Sequence, residues 1–126
     1  MVNVLVLDAK TKQLFNKEIT GDYKSIQQEV EGMIDCPFVS ESLFNQGIVV
    51  YVNDEGKILN KEVAAYVVHD GEVIECLNGN VVFTADNGYG ETVSLTAEQE
   101  FYIRHMLENS GYCEDIEGNR YPVISY

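Results

Sequence analysis

Positive charge is what this sequence has least of. Eight lysines and arginines stand against 21 aspartates and glutamates, a formal net charge of −13 in 126 residues. A surface of that sign is repelled by DNA, RNA and anionic membranes, so no direct binding to any of them is expected. Histidine is scarce as well: His69 and His105 are the only two. Neither stands in a cysteine-enzyme motif, no H-E-x-x-H occurs, and two histidines are too few for most zinc sites. The three cysteines, Cys36, Cys76 and Cys113, are odd in number, far apart and without C-x-x-C spacing. That argues against a disulfide framework and against zinc. Cys36 and Cys76 read as small core residues and Cys113 as a loop residue.

Long hydrophobic runs are missing too. No segment approaches the ~20 apolar residues of a membrane helix. The start, Met1-Val2-Asn3-Val4-Leu5, has no basic flank and no small-residue cleavage site, so it reads as a strand and the cytoplasm is the expected compartment. Neither G-x-x-x-x-G-K-[ST] nor G-x-G-x-x-G is present, so Gly88-Tyr89-Gly90 is not a phosphate cradle. Asp86-Asn87-Gly88-Tyr89-Gly90-Glu91 lacks the alternating ligands of a calcium loop and reads as a flexible glycine-rich loop. Carboxylates are so plentiful that no pair of them singles itself out for acid–base work. No catalytic residue, metal ligand or cofactor is therefore assigned.

What is present is enough for one core. A chain of this length fits one domain, and about two thirds of its unfolded surface can be buried without staples. Gly47-Ile48-Val49-Val50-Tyr51-Val52 is the longest β-branched run and ends in the hydrophilic turn Asn53-Asp54-Glu55-Gly56. It reads as a strand near the centre of a sheet. Val2–Leu7 and Gln13–Thr20 suit two paired strands around the polar turn Asp8–Lys12. Asp22 offers an N-cap, and Tyr23, Ile26, Val30 and Met33 then recur at helical spacing up to Gly32, where a helix commonly stops. Ile34–Val39, broken by Pro37, reads as an edge strand or extended connector, and Ser40–Gln46 as a polar connection.

Lys57–Val68 fits a short helical turn followed by a strand. Asp70-Gly71 and Asn78-Gly79 are two-residue turn signals, which predicts a meander of Glu72–Leu77 and Asn80–Ala85. Thr96-Ala97-Glu98-Gln99 is a capping box opening a helix to about Asn109. That helix should bury Tyr102, Ile103, Met106 and Leu107 and pair Glu100 with Arg104 on its outer side. The fold class is thus α+β: a mostly antiparallel sheet with two main helices packed on one face. Residues 1–109 form the domain, and 110–126 an extension packed on it or used at an interface. Its last piece, Tyr121–Tyr126, can add a strand to a sheet edge, in its own chain or in a second copy.

Several short segments, taken in order, carry a resemblance. They are Gly32-Met33-Ile34-Asp35, Val52-Asn53-Asp54-Glu55-Gly56-Lys57-Ile58-Leu59, Asp70-Gly71-Glu72-Val73, Asn78-Gly79-Asn80-Val81 and Ser94-Leu95-Thr96-Ala97-Glu98-Gln99. Over about the first 105 residues the chain resembles the family catalogued as domain of unknown function 3846. The resemblance implies a setting on phages, plasmids and other mobile elements of Gram-positive bacteria. It implies no activity and no catalytic residues. The Pro-x-Asn-Arg element usual in that family is replaced here by Lys61-Glu62-Val63-Ala64-Ala65, so a function tied to that arginine is not expected.

The functional expectation is a non-catalytic binding module that meets a basic protein through acidic surface and exposed rings. Antagonism of a basic nucleic-acid-binding or defence protein is one such role. Tyr89, Tyr112, Tyr121 and Tyr126 lie in loop or tail, where amphipathic rings mark interfaces. Glu114 and Asp115 supply charge beside them. From Asp86 onward eight acids face only Arg104 and Arg120. The alternative is a small-ligand binder with Tyr89 and its glycine loop closing a pocket, and an enzyme ranks third.

Overall fold

The computed structural model describes residues 1–109 and 111–125. Ten strands and three α-helices are formed among them. Strand β1 (Val2–Leu7) pairs antiparallel with β2 (Leu14–Ile19) in the register Val2 to Ile19. The turn between them is built by Asp8, whose Oδ1 accepts from the backbone N–H groups of Lys10 and Thr11. Helix α1 (Tyr23–Val30) starts at the expected cap, with Asp22 Oδ1 accepting from Ser25 N at 2.8 Å. It ends at Glu31, which is left-handed at φ 62°. Gly32 follows for a different reason: a β-carbon there would lie 2.6 Å from the Asn53 side-chain nitrogen.

The remaining elements are β3 (Ile34–Asp35), α2 (Phe38–Leu43), β4 (Ile48–Asn53), β5 (Val63–His69), β6 (Glu72–Asn78), β7 (Val81–Asp86), β8 (Thr92–Val93), α3 (Ala97–Asn109), β9 (Tyr112–Glu114) and β10 (Arg120–Ser125). The strands make two sheets. The first runs β2-β1-β7-β4-β3, with β8 also on β7; the second runs β6-β5-β10-β9. All pairings are antiparallel except β10 with β5.

The mixed α+β class stands, and three of its details differ from expectation. The centre of the first sheet is β7, whose Val81–Ala85 are all buried, while β4 has only the two-residue β3 on its far side. The expected meander is broken: β6 and β7 belong to different sheets. At Asp70-Gly71 both residues take positive φ, 51° and 82°, which is the type I′ geometry of a hairpin, and β5 and β6 pair across it. At Asn78-Gly79 only Gly79 is left-handed, and Gly79 N donates to Glu62 O at 2.7 Å as the chain crosses over.

The helices also do not share a face of the first sheet. Alternate residues of a strand point to opposite sides, and Val4, Val6 and Val82 pack with Ile26 and Val30 of α1. Leu5, Leu7 and Phe83 face the other way, into the larger core that holds Val39 and Leu43 of α2, Ile103 of α3, and Val67 and Ile124 of the second sheet. The layers are therefore α1, then the first sheet, then the second sheet with α2 and α3. Helix α2 has no counterpart in the sequence reading, where its span is a connector. Its Ser40 Oγ accepts from Val50 N at 3.0 Å, which ties it to β4.

Residues 111–125 complete the second sheet. β10 lies between β5 and β9, and its Val123 and Ile124 are buried.

Candidate functional site

Three asparagines and two glycines from distant parts of the chain meet at one junction. Asn53, at the end of β4, donates through Nδ2 to Val30 O at 3.0 Å and to Glu31 O, and its Oδ1 accepts from Glu55 N at 2.7 Å. Every polar atom of its side chain is spent on closing α1 and shaping the 53–56 turn. Asn80 Oδ1 accepts from Ala9 N, and its Nδ2 donates to Glu29 O. Asn78 Nδ2 donates to Lys61 O at 3.0 Å. Gly56 is pressed against β6 so closely that a β-carbon would lie 2.3 Å from Asn78 O.

Two cavities flank this junction. The larger, about 690 Å³, lies between α1, the β1–β2 hairpin and residues 59–62. Lys10, Lys17 and Lys61 line it, together with Glu29, Glu31 and Glu62. Its charges are largely answered in place: Lys17 to Glu29 at 2.8 Å, Lys12 to Glu62 at 3.6 Å and Lys61 to Glu31 at 3.9 Å. The smaller, about 200 Å³, is framed by β4, the turn after it and β6. Asp35, Asp54 and Glu75 contribute negative charge to it and Lys57 positive charge.

The expected interface residues separate into two groups. Tyr112, Glu114, Asp115 and Tyr121 come together on the β9–β10 hairpin, while Tyr89 sits in the 87–91 turn of the first sheet and is 88% exposed. Tyr89 lines neither of the two cavities flanking the junction. Tyr126 lies outside the described residues. Tyr112 and Glu114 are exposed, but Asp115 and Tyr121 are committed to the hairpin itself. Asp115 accepts from the backbone N–H groups of Asn119 and Glu117, from Asn119 Nδ2 and from the Tyr121 hydroxyl. Those donors, the Asn119 backbone first, hold its carboxyl below the usual range. Tyr121 lies edge-on to Tyr66 at 5.5 Å, with Lys12 Nζ over its ring.

Helix α3 presents a surface the sequence reading did not assign. Its capping box forms as expected, with Gln99 N donating to Thr96 Oγ1 and Thr96 N to Gln99 Oε1. Ile103 is fully buried, but Tyr102, expected in the core, is 42% exposed. Glu100 and Arg104 do not pair outward; Glu100 Oε1 accepts from Asn3 and Asn16, and Arg104 donates to Asn16 Oδ1. What faces water is Phe101, 68% exposed, with His105 stacked on it at 5.5 Å. Glu108 follows at the same helical spacing and shares a surface recess with Tyr112. Phe101, His105 and Glu108 thus lie on one exposed face of α3, and the exposed Tyr112 of β9 adjoins Glu108.

The three thiols lie on separate parts of the chain. Cys36, expected in the core, is an exposed residue; partial burial of its sulfur and the neighbouring Asp35 push its pKa up. Cys76 is half-buried, and burial pushes it up against the opposing pull of Lys57. Cys113 lies on β9 instead of in a loop. His69 sits at the β5–β6 turn, 3.5 Å from Asp70. Among the described residues no group of three or more His, Cys, Asp or Glu is placed to hold a metal ion. No helix among them is long and apolar enough to cross a membrane.

Compared with known proteins, residues 2–108 match the family model described as domain of unknown function DUF3846. The chain belongs to this family. No curated protein and no solved structure matches it. In this DUF3846 member, Gly32, Asn53, Gly56, Asn78 and Asn80, which the resemblance rested on as separate motifs, are the residues of the junction. By sequence alone Asn53, Gly56 and Asn78 read as turn residues, Gly32 as a helix stop and Asn80 as the start of a strand. Their identities, glycine and asparagine at three places in the chain (32, 53–56 and 78–80), are the trace the junction leaves in the sequence. Strand β10 lies beyond the matched residues.

Proposed function

We propose that this protein is a non-catalytic binding module that docks a basic protein. The observation that carries the reading is the outer face of α3: Phe101 and Glu108 lie exposed on it, with the exposed Tyr112 of β9 beside Glu108, on a chain of net charge −13. Large rings left in water beside carboxylates suit a contact with an apolar core and a charged rim. The charge of the whole chain would steer a basic partner toward it. A mobile-element setting and antagonism of a basic nucleic-acid-binding or defence protein fit the family resemblance and that charge. Raised thiols and the structural engagement of Asp115 and Asn53 support a binding role over a catalytic one.

The test is affinity capture from a Gram-positive host lysate with a salt series. The same protein should be retained at low salt and released as salt screens the contact. It should also be lost when Phe101→Ser and Tyr112→Ser are combined. Capture of no protein that meets both conditions overturns the reading.

A second reading has one observation in its favour. The 690 Å³ cleft falls in the size range of small-ligand sites, about 300–1,000 Å³. A metabolite and nucleotide screen by thermal shift separates the two, since a ligand bound only by the folded state raises Tm.

A further inference from the structure

We propose that the larger cleft, between α1, the β1–β2 hairpin and residues 59–62, binds a nucleoside monophosphate, its phosphate at Lys10 and Lys61 and its base on Phe15. The proposal rests on the small-ligand reading of that cleft and names the ligand class; no residue of the outer face of α3 takes part. What sets the cleft apart is its charge. Of the chain's eight lysines and arginines, Lys10, Lys17 and Lys61 line it, and Lys12 pairs with Glu62 of its lining. Its own acids, Asp8, Glu29, Glu31 and Glu62, are a small part of the chain's 21. Half of the positive charge of an acidic chain is thus gathered at one concave site. Acids elsewhere on the chain are screened beyond about 8 Å at physiological ionic strength, so the lining decides the local field.

The lysines differ in how far they are committed. Lys17 holds the half-hidden Glu29 at 2.8 Å and joins β2 to α1. Lys61 stands 3.9 Å from Glu31, whose side chain is 64% exposed. An exposed pair that long is weak, and its lysine turns to a stronger anion at little cost. Lys10 makes no ion pair among the described residues. Two ammonium groups are therefore open to a phosphate, which lysine meets as a point charge. A plain anion suits the lining less well than a ligand that also donates hydrogen bonds. Glu31 and Glu62 face water and can accept from ribose hydroxyls and base N–H groups, whereas Asp8 Oδ1 is held by its own turn and Asn80 by Ala9 and Glu29. A flat ring has its platform as well. Phe15 pairs with Val6, which packs with α1, so its ring lies on the helix side of the sheet, yet it is 41% exposed. Leu59, also in the lining, is 55% exposed. Bases stack on such rings with little regard to sequence.

The experiment is an amide-detected NMR titration of the full chain with adenosine and uridine monophosphates, the two nucleosides, ribose phosphate and inorganic phosphate. The expected result is saturable shifts at residues 8–17, 28–31 and 59–62 with at least one monophosphate. Its nucleoside, ribose phosphate and inorganic phosphate should each bind at least tenfold more weakly. Lys10→Glu changes an exposed residue without an ion pair, so it should weaken the monophosphate at least tenfold and leave the nucleoside unchanged. Phe15→Ser should weaken monophosphate and nucleoside alike and leave ribose phosphate unchanged; Lys10→Glu carries the test if that variant does not fold. Shifts that do not saturate, that fall outside the cleft, that inorganic phosphate reproduces, or that survive Lys10→Glu overturn the proposal. If a metabolite of another class saturates the same residues while neither monophosphate does, the nucleotide falls and the small-ligand reading stands. If nothing saturates them, both fall.

Discussion

Gly32 and Asn53 interlock: the Asn53 amide occupies the space a side chain at residue 32 would take, and from there it bonds to the last carbonyls of α1. The two residues are therefore one device. Gly32 needs no left-handed backbone, so an alanine there strains nothing but the contact. Gly32→Ala is expected to destabilise by about 1–3 kcal/mol, the cost of displacing a buried hydrogen-bonding amide. Asn53→Ala should cost a similar amount. Urea denaturation of the two single variants and the double variant checks the coupling: the double should cost clearly less than the sum, because the first change already removes what the second disturbs.

Gly56 and Gly71 make the opposite comparison. At Gly56 the added carbon meets the backbone oxygen of Asn78 at 2.3 Å, and a backbone cannot swing aside. At Gly71 nothing lies within 4 Å, and only the φ of 82° resists a side chain. Gly56→Ala is expected to cost upward of about 3 kcal/mol and Gly71→Ala about 1 kcal/mol, read as shifts of the urea midpoint.

Acid should weaken the protein at two aspartates, Asp22 at the start of α1 and Asp115 in the β9–β10 turn. Asp22 is held below its ordinary pKa chiefly by the Ser25 backbone N–H, and Asp115 chiefly by that of Asn119. A carboxyl depressed in the folded state contributes stability that is present above its unfolded pKa, about 3.9, and is lost as pH falls through the folded value. Asp22→Asn keeps the cap but does not titrate. The urea midpoint of the wild type should therefore fall toward that of the variant below about pH 4, with their separation constant near neutrality.

The second sheet depends on the C-terminal strand. Without residues 110–126, β5 loses its partner on one side, and the larger core loses Ile124. A chain ending at Asn109 should show a lower Tm and less amide protection in β5 than the full chain, as measured by circular dichroism and hydrogen exchange. Burial of Val123 and Ile124 is worth about 1.5–3 kcal/mol each.

The local signals in the sequence were reliable where a few neighbouring residues complete the structure among themselves. Asp22 with Ser25, Thr96 with Gln99, and Asp70 with Gly71 are all such cases. Asn78-Gly79 has the same look as a hairpin turn, but what decides its path is the backbone bond from Gly79 to Glu62 and the packing of Gly56 on Asn78. Helix α2 is six residues long, too short for its Val39 and Leu43 to make a periodic pattern. Tyr102 and Glu100 illustrate the limit on a helix face: which side turns inward was set by Asn3 and Asn16 on the first hairpin. The candidate site was least legible, because its glycines and asparagines meet only once separate elements have packed, Gly32 on Asn53 and Gly56 on Asn78.

The proposed docking is electrostatic and made by an acidic surface. The direct measurement is the Kd of the captured partner as a function of salt, by titration calorimetry from about 0.05 to 0.5 M. Affinity that falls steadily with salt, and falls further for the Phe101→Ser, Tyr112→Ser variant, is the predicted result. Affinity that is unchanged or rises with salt contradicts it.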